Sequence, residues 1–304
     1  MMTGGGRNVR STDRRSLIEK AVKRLPSGEH GGDTRPQTVE PNDVDGRQQI
    51  DTGKRSTTKS VTIDQSTLRR NGIITSDHLR TRTTEEFRLI KRGLLHHYTR
   101  NGTDRQNLVL ITSAVSGEGK SFCALNIAMS MALEENFRVL LVDCDFANST
   151  IMRTLGIKAK IGLMDVLMDE HLDLSDVLLR TDIDRLSILP PGTPHSRSAE
   201  FLGSKRMANL MNELAHRYND RFIIFDTPPV LMKADTSVLS TQVGQIVFVI
   251  RSESTSRDTV KEALDLIADN PNINLLLNGT RETFGSHQFG QDYYQYHKKK
   301  RKLR

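Results

Sequence analysis

The stretch that runs from Leu108 to Ser121, L-V-L-I-T-S-A-V-S-G-E-G-K-S, decides the fold. Its apolar run stops at Ile111, and a polar loop with two glycines, a lysine and a serine follows before an apolar stretch resumes. Residues 114–121 fit the pattern small-x-x-x-x-G-K-[ST], which marks a phosphate-binding loop when it lies between a strand and a helix. The sequence therefore predicts a P-loop that holds the phosphates of a nucleotide.

The residue types of this loop suit phosphate binding. Gly117 and Gly119 lack a Cβ, so the backbone N–H groups around them can point inward. A helix that starts near Lys120 adds the positive end of its dipole. In a P-loop the lysine reaches the β- and γ-phosphates and the following hydroxyl, here that of Ser121, binds Mg²⁺. The residues that we expect to contact the nucleotide here are Ser116, Gly117, Glu118, Gly119, Lys120, Ser121 and Phe122.

The rest of the globular part alternates between two kinds of segment. Short runs rich in Val, Ile, Leu and Phe show no polar alternation, which is typical of strands that are covered on both faces. Helical stretches separate them, which favours a parallel sheet built from βαβ units. We expect a three-layer α/β P-loop NTPase fold with a mostly parallel sheet. The predicted strands are 108–113, 139–143, 186–190, 222–226, 246–250 and 273–278, and the predicted helices are 84–98, 120–134, 204–218 and 256–268.

Three aspartates follow two of these strands. Asp143 and Asp145 end the run V-L-L-V-D-C-D, and Asp226 ends F-I-I-F-D. The carboxyl ends of parallel strands share one edge of the sheet, where ligands bind. Mg²⁺ takes few carboxylates and adds phosphate oxygens and waters. We expect Asp226 to contact the metal through water, Asp145 to support it, and Asp143 to accept a proton from an attacking hydroxyl. A turn or a helix cap is the alternative role for any one of them.

The ends of the chain differ from its centre. Residues 1–82 contain no aromatic Phe, Tyr or Trp, and such a segment buries too little apolar surface to offset its ordering entropy. We expect a mostly disordered arm with short helices at 16–25 and 64–74, a globular domain over 83–283 and a mobile tail over 284–304. The tail ends in the basic run K-K-K-R-K-L-R within a chain of formal net charge +7.

Composition also indicates the compartment. No run of 18 apolar residues and no apolar leader segment is visible, so we expect neither a membrane-spanning helix nor a secretory signal. The two cysteines, Cys123 and Cys144, lie in apolar stretches, and we expect them to be buried thiols in the cytoplasm.

The P-loop, the D-x-D after the next strand and the D-T-P-P that starts at Asp226 together resemble the bacterial tyrosine kinases (BY-kinases) over about residues 84–297. The stretch E-E-F-R-L-I-K-R at 85–92 and the C-terminal tyrosines resemble the exosortase-associated tyrosine autokinases of exopolysaccharide export. This resemblance implies ATP and Mg²⁺ as cofactors and Asn278 as a contact to the base. It also implies autophosphorylation between subunits, at a cluster comprising Tyr293, Tyr294 and Tyr296.

The resemblance further implies partners. Family members without a transmembrane segment dock on a separate inner-membrane chain-length protein that activates them, so we expect a cytoplasmic chain held peripherally at the inner membrane. The family's self-association motif E-x-x-R-x-x-R is represented here by Glu85, Arg88 and Lys91, which favours a homo-oligomer, with a ring as one form. The basic tail suits an anionic leaflet, and nucleic acid is not an expected partner because no aromatic-interleaved basic groove is visible.

Two departures keep other functions open. The family's D-x-D-x-R motif has Ala147 in place of its arginine, which leaves a non-catalytic nucleotide-binding assembly subunit as an alternative. A ParA/MinD-like ATPase is the other alternative. Proteins of that kind resemble this chain in fold but carry an extra lysine five residues before the P-loop lysine, where this chain has Val115.

Overall fold

A computed structural model describes residues 59–77, 81–101, 105–217 and 221–280, without the side chains of 99–101 and 217. The predicted helix at 16–25, the tyrosine cluster and the basic tail all lie outside the described residues. The predictions made for those segments therefore remain predictions.

In the described part of the chain, one sheet has the strand order β1-β4-β5-β3-β6-β2-β7-β8. The six strands from β5 to β8 in this order are parallel to one another, β4 pairs antiparallel with β5, and β1 pairs parallel with β4. The prediction of a mostly parallel sheet is confirmed. The strands are β1 (Lys59–Val61), β2 (Leu108–Ser113), β3 (Arg138–Asp143), β4 (Leu179–Thr181), β5 (Leu186–Leu189), β6 (Arg221–Asp226), β7 (Gln245–Arg251) and β8 (Ile273–Asn278).

Helices cover both faces of this sheet. Along β2, Val109 and Ile111 belong to one buried cluster while Leu108 and Leu110 belong to the other, and all four are fully buried. Burial on both faces explains why the strand sequences show no polar alternation. The helices are α1 (Gln65–Arg70), α2 (Arg82–Asn101), α3 (Lys120–Ala132), α4 (Thr150–Leu155), α5 (Leu163–Met168), α6 (Leu174–Val177), α7 (Ser198–Leu202), α8 (Lys205–Arg217), α9 (Ala234–Ser240) and α10 (Arg257–Asp265).

The folded part begins earlier than the predicted boundary at residue 83. Residues 59–77 supply the edge strand β1 and the helix α1, which begins after the N-cap Asp64. Leu68 of α1 is fully buried, and the N–H of Ile74 donates to the buried Oδ1 of Asn126 on α3 at 2.9 Å. Hydrophobic residues in this segment are few, so composition alone predicts disorder, but Ile63, Leu68, Ile73 and Ile74 are buried against the domain and Val61 is partly buried there.

The helices of the described residues include none whose length and apolar character would allow it to cross a bilayer.

Candidate active site

The P-loop joins β2 to α3 at the carboxyl edge of the parallel strands. Gly117 and Gly119 adopt positive φ angles of 86° and 94°, which an L side chain disfavours. Gly119 is the N-cap of α3, and its carbonyl accepts the first helical hydrogen bond, from the N–H of Cys123 at 2.9 Å. The loop thus leads directly into the N-terminus of α3, which is the arrangement that the motif predicts for phosphate binding.

Glu118, in the middle of the loop, is buried and only 1% exposed. Its Oε2 accepts from the N–H of Val115 at 2.8 Å, and its Oε1 accepts from the N–H of Arg251 at 3.2 Å and from Thr255 Oγ1 at 2.5 Å. The Asn278 Nδ2 donates to the Glu118 carbonyl at 2.9 Å. The P-loop is therefore attached to the ends of both β7 and β8.

The predicted carboxylates meet at the same edge. Asp143 and Asp226 are register partners on the adjacent strands β3 and β6. Asp226 hydrogen-bonds to the hydroxyl of Ser121, and the charges of Asp226 and Asp145 act on the buried ammonium of Lys120. The structure thus brings together the four residues that the sequence assigned to catalysis, along with Ser121.

Burial dominates the electrostatics of this cluster. It raises the pKa of Asp226 to about 8, helped by the charge of Asp143, while Ser121 and Lys120 oppose the rise. Burial also raises the pKa of Asp143 to about 6, against hydrogen bonds from Ser149 and from the Asp145 backbone. For Lys120, burial lowers the pKa, and the carboxylates of Asp226 and Asp145 counteract it. Burial thus disfavours the charged form of Asp226, Asp143 and Lys120 alike, so each needs an oppositely charged partner to be ionised.

Asp143 and Asp145 differ in access. Asp143 is fully buried, its Oδ1 accepts from the Asp145 N–H at 3.0 Å, and its Oδ2 accepts from the hydroxyl of Ser149. Asp145 is half-buried, and one of its oxygens accepts from the N–H of Asn148 at 3.1 Å. Each oxygen of Asp143 thus already accepts one hydrogen bond from within the protein.

The donor set fits a magnesium ion that is shared with phosphate. Asp226 Oδ1 is buried and has no hydrogen-bond partner, and the same carboxylate group interacts with the Ser121 hydroxyl, the group that a P-loop offers to Mg²⁺. Among the described residues, no three His, Cys, Asp or Glu side chains are arranged to hold a metal by themselves. Mg²⁺ commonly binds through one or two carboxylates plus phosphate oxygens and waters, which is what these residues offer.

Other predicted contacts lie in different surroundings. Ser116 is exposed at the loop tip. The ring of Phe122 packs edge-on against Phe87 of α2, with centroids 6.0 Å apart, so its side chain belongs to the contact between α2 and α3. Asn278 stands at the predicted end of β8, but its amide nitrogen is used by Glu118.

The predicted self-association residues are not equivalent. Arg88 forms an ion pair with Glu85 one turn away, and both side chains are partly exposed. Lys91 instead points inward: it is 6% exposed, pairs with Glu134 and donates to the Ser130 carbonyl. Lys91 therefore belongs to the contact between α2 and α3, while the self-association role predicted for the three residues remains a prediction.

Ala147, the departure from the family motif, is exposed and lines a small cavity with Asp145, His195 and Lys233. Arg153, the nearest arginine in sequence, donates to Asn148 Oδ1 and Thr150 Oγ1, both at 3.0 Å, on the surface of α4.

Sequence reasoning missed several supporting residues. Ser149 caps α4, accepting from the Met152 N–H at 3.0 Å, and it also donates to Asp143. The threonine of the D-T-P-P turn, Thr227, donates through its Oγ1 to the carbonyl of Ile111 at 2.9 Å and so fixes the turn on β2. A serine before a helical run is a recognisable cap signal, but the bond to Asp143 depends on a tertiary contact.

Comparisons with known proteins agree on one family. The AAA domain model matches residues 107–275. Tyrosine-protein kinase YwqD of Bacillus subtilis (strain 168) is 31% identical over 204 residues, which cover 67% of this chain and 82% of YwqD. Tyrosine-protein kinase CpsD of Streptococcus agalactiae is 26% identical over 201 residues, which cover 65% of this chain and 85% of CpsD.

Solved structures share the fold of this chain. The crystal structure of the chimerical protein CapA2B2 superposes with a TM-score of 0.60 at 26% identity, covering 74% of this chain and 94% of that chain. The kinase domain of the Escherichia coli tyrosine kinase ETK has a TM-score of 0.62 at 20% identity and covers 75% of this chain and 91% of that chain. The second likeness supports the fold alone.

Proposed function

Since this chain belongs to the AAA domain family and to the bacterial tyrosine-protein kinases, we propose that it is an ATP-dependent kinase that phosphorylates tyrosines of its own C-terminal cluster. The observation that carries this proposal is the meeting of Lys120, Ser121, Asp143 and Asp226 beside a P-loop with two positive-φ glycines. The acceptors would be Tyr293, Tyr294 and Tyr296, which lie outside the described residues.

The main task in such a transfer is to stabilise charge on the moving phosphoryl group. Lys120, the loop N–H groups and the N-terminus of α3 form a preorganised positive site for that charge. Mg²⁺, when bound, would neutralise charge on the phosphate oxygens. Ser121 and Asp226 would hold it, with Asp145 contacting the metal or its waters.

Asp143 is the proposed proton acceptor. A catalytic base works best with a pKa near the operating pH, and burial raises the pKa of Asp143 to about 6. The hydroxyl of Ser149 already donates to this carboxylate. A tyrosine hydroxyl that takes the place of Ser149 would make the same hydrogen bond, so we propose that acceptor binding displaces the Ser149 hydroxyl.

The cellular setting belongs to the same proposal. We place the chain in exopolysaccharide chain-length control and export, as a member of the exosortase-associated branch. There it would act as a homo-oligomer that transfers phosphate between subunits and docks on an inner-membrane activator. Partly exposed Glu85 and Arg88 support a role of α2 in self-association. The basic run from Lys298 supports contact with an anionic leaflet.

Peptide mass spectrometry of the full chain incubated with Mg·ATP tests the kinase. We expect phosphate on the tyrosine cluster, lost in Lys120→Met and Asp143→Asn and kept in Lys158→Met, which changes an exposed lysine. If no phosphotyrosine forms, even with the cytoplasmic segment of the activator present, the kinase assignment is wrong. Bound nucleotide under those conditions would point to the non-catalytic assembly subunit.

A further inference from the structure

The buried carboxylate of Glu118 poses an electrostatic question. It lies in the loop that must bind a polyanion, and its charge acts on Lys120. If the negative charge were the only effect of this carboxylate, it would weaken phosphate binding. The hydrogen bonds of the Glu118 carboxylate indicate a different, structural role.

The carboxylate joins three segments that are far apart in the chain. Oε2 binds the N–H of Val115 at the start of the loop, and Oε1 binds the N–H of Arg251 at the end of β7 and the hydroxyl of Thr255 before α10. Both oxygens therefore accept from groups outside residues 117–120, so the carboxylate does not occupy the backbone N–H groups of that stretch. Hydrogen bonds to an ionised acceptor are stronger than neutral ones.

A second strut supports the same peptide from β8. Asn278 Nδ2 donates to the Glu118 carbonyl, and a carbonyl can only accept, so the orientation of this amide is fixed by chemistry. The fit is close: a Cβ on Gly119 would lie 2.1 Å from Asn278 Nδ2. The side chain and the carbonyl of Glu118 thus tie the loop to the ends of both β7 and β8.

We propose that Glu118 is a positioning residue that locks the P-loop to the β7–α10 junction and holds its N–H groups in the phosphate-binding orientation. This inference rests on the proposed nucleotide site but does not depend on tyrosine as the acceptor. Glu118 contacts phosphate through none of its side-chain atoms; it acts through the backbone that it fixes.

The substitution Glu118→Gln gives a test in which two explanations predict opposite signs. The amide has the same shape but only one accepting group, so it cannot satisfy both Val115 N–H and Arg251 N–H. If Glu118 positions the loop, affinity for Mg·ADP falls, by about tenfold, which corresponds to about 1.4 kcal/mol. If the carboxylate is only a nearby negative charge, removing it raises affinity for the anionic ligand.

Thr255 supplies the second variant, since Thr255→Val removes one donor and keeps the charge of Glu118. We expect Thr255→Val to weaken Mg·ADP binding several-fold and Thr255→Ser to restore it. Asn270→Ala is the matched control. Asn270 also makes three hydrogen bonds that tie loops together, to Ser240, Val243 and Asn272, but at the opposite ends of β7 and β8. It should lower the melting temperature without changing nucleotide affinity.

The measurement is calorimetric titration of the full chain with Mg·ADP, with a melting curve for each variant. Unchanged or tighter binding in Glu118→Gln overturns the proposal, as does weakening in Asn270→Ala of the same size as in Glu118→Gln. Phosphotyrosine formation is assayed separately. A chain that binds Mg·ADP but makes no phosphotyrosine, even with the cytoplasmic segment of the activator present, contradicts the kinase function and leaves the positioning role to be decided by the titrations.

Discussion

The pair Asp143 and Asp226 should make the nucleotide-free protein less stable as the pH rises. Burial raises the pKa of Asp226 to about 8, far above the value of 3.8 that is usual for an exposed aspartate. Between these values the native carboxyl holds a proton that the unfolded chain has lost. Unfolding then releases a proton, so rising pH favours the unfolded state. The contribution of the Asp226 carboxyl to the free energy of unfolding is therefore most favourable below pH 3.8, and this contribution is lost as the pH rises toward 8.

The size of the effect follows from one proton. While the native group stays protonated and the unfolded one is ionised, the free energy of unfolding falls by about 1.4 kcal/mol per pH unit. For a domain of about 150–250 residues this lowers the melting temperature by roughly 3–6 °C per pH unit. Asp143 adds a change of the same sign up to its pKa of about 6.

Thermal melts in EDTA from pH 5 to 7.5 measure this slope for the wild type and for Asp226→Asn, which has no proton to lose. We expect the slope to be shallower in Asp226→Asn and the variant to be more stable than the wild type at pH 7.5. Asp258→Asn, in the exposed first turn of α10, removes a surface carboxylate as a control. Parallel slopes for the wild type and Asp226→Asn would show that Asp226 is ionised in the native protein, and the reasoning would be refuted.

Three further predictions concern other parts of the structure. Leu68→Ala should lower the free energy of unfolding, measured by chemical denaturation, by about 2–5 kcal/mol because Leu68 is fully buried. The control Leu266→Ala, at a side chain 51% exposed, should change it by less than about 0.5 kcal/mol. Equal effects would place α1 outside the core. Lys91→Ala should lower the free energy of unfolding by about 1–3 kcal/mol without changing the oligomer mass measured by light scattering. Arg88→Ala should lower that mass and leave the melting temperature unchanged. The reverse pattern would place Lys91 in the contact between subunits. Gly119→Ala should weaken Mg·ADP binding more than tenfold in calorimetry, because the φ of Gly119 is 94° and an added Cβ would collide with Asn278. The control Gly93→Ala, where a Cβ meets nothing within 4 Å, should bind Mg·ADP normally and gain up to about 1 kcal/mol of helix stability. Normal binding by Gly119→Ala would contradict the tight contact.

Local patterns predicted the features that depend on neighbouring residues. The P-loop, the six strands of the parallel part of the sheet and the aspartates at the ends of β3 and β6 were all visible, because each combines a motif with a continuous apolar run. The convergence of Lys120, Asp143 and Asp226 followed from a general property of parallel sheets.

Features that depend on partners distant in sequence were not predictable in this way. Lys91 fits a charged helix face, and only the packing of α2 on α3 shows that it points toward Glu134. The motif predicts that Glu118 contacts the nucleotide but gives no role to its side chain, whose partners Arg251 and Thr255 are more than 130 residues away. Strand β4, three residues long, carries too little pattern to be recognised.

The edge strand β1 decides where the domain can be cut for laboratory work. A recombinant fragment that starts at residue 83 would lack β1 and α1, leaving the backbone edge of β4 and the apolar surface beneath Leu68 in contact with water. Unpaired edges and bare apolar surface promote aggregation. A fragment intended for crystallisation, or for assays of the activator's docking segment, should therefore begin upstream of Lys59, and limited proteolysis of the intact chain should spare residues 59–77.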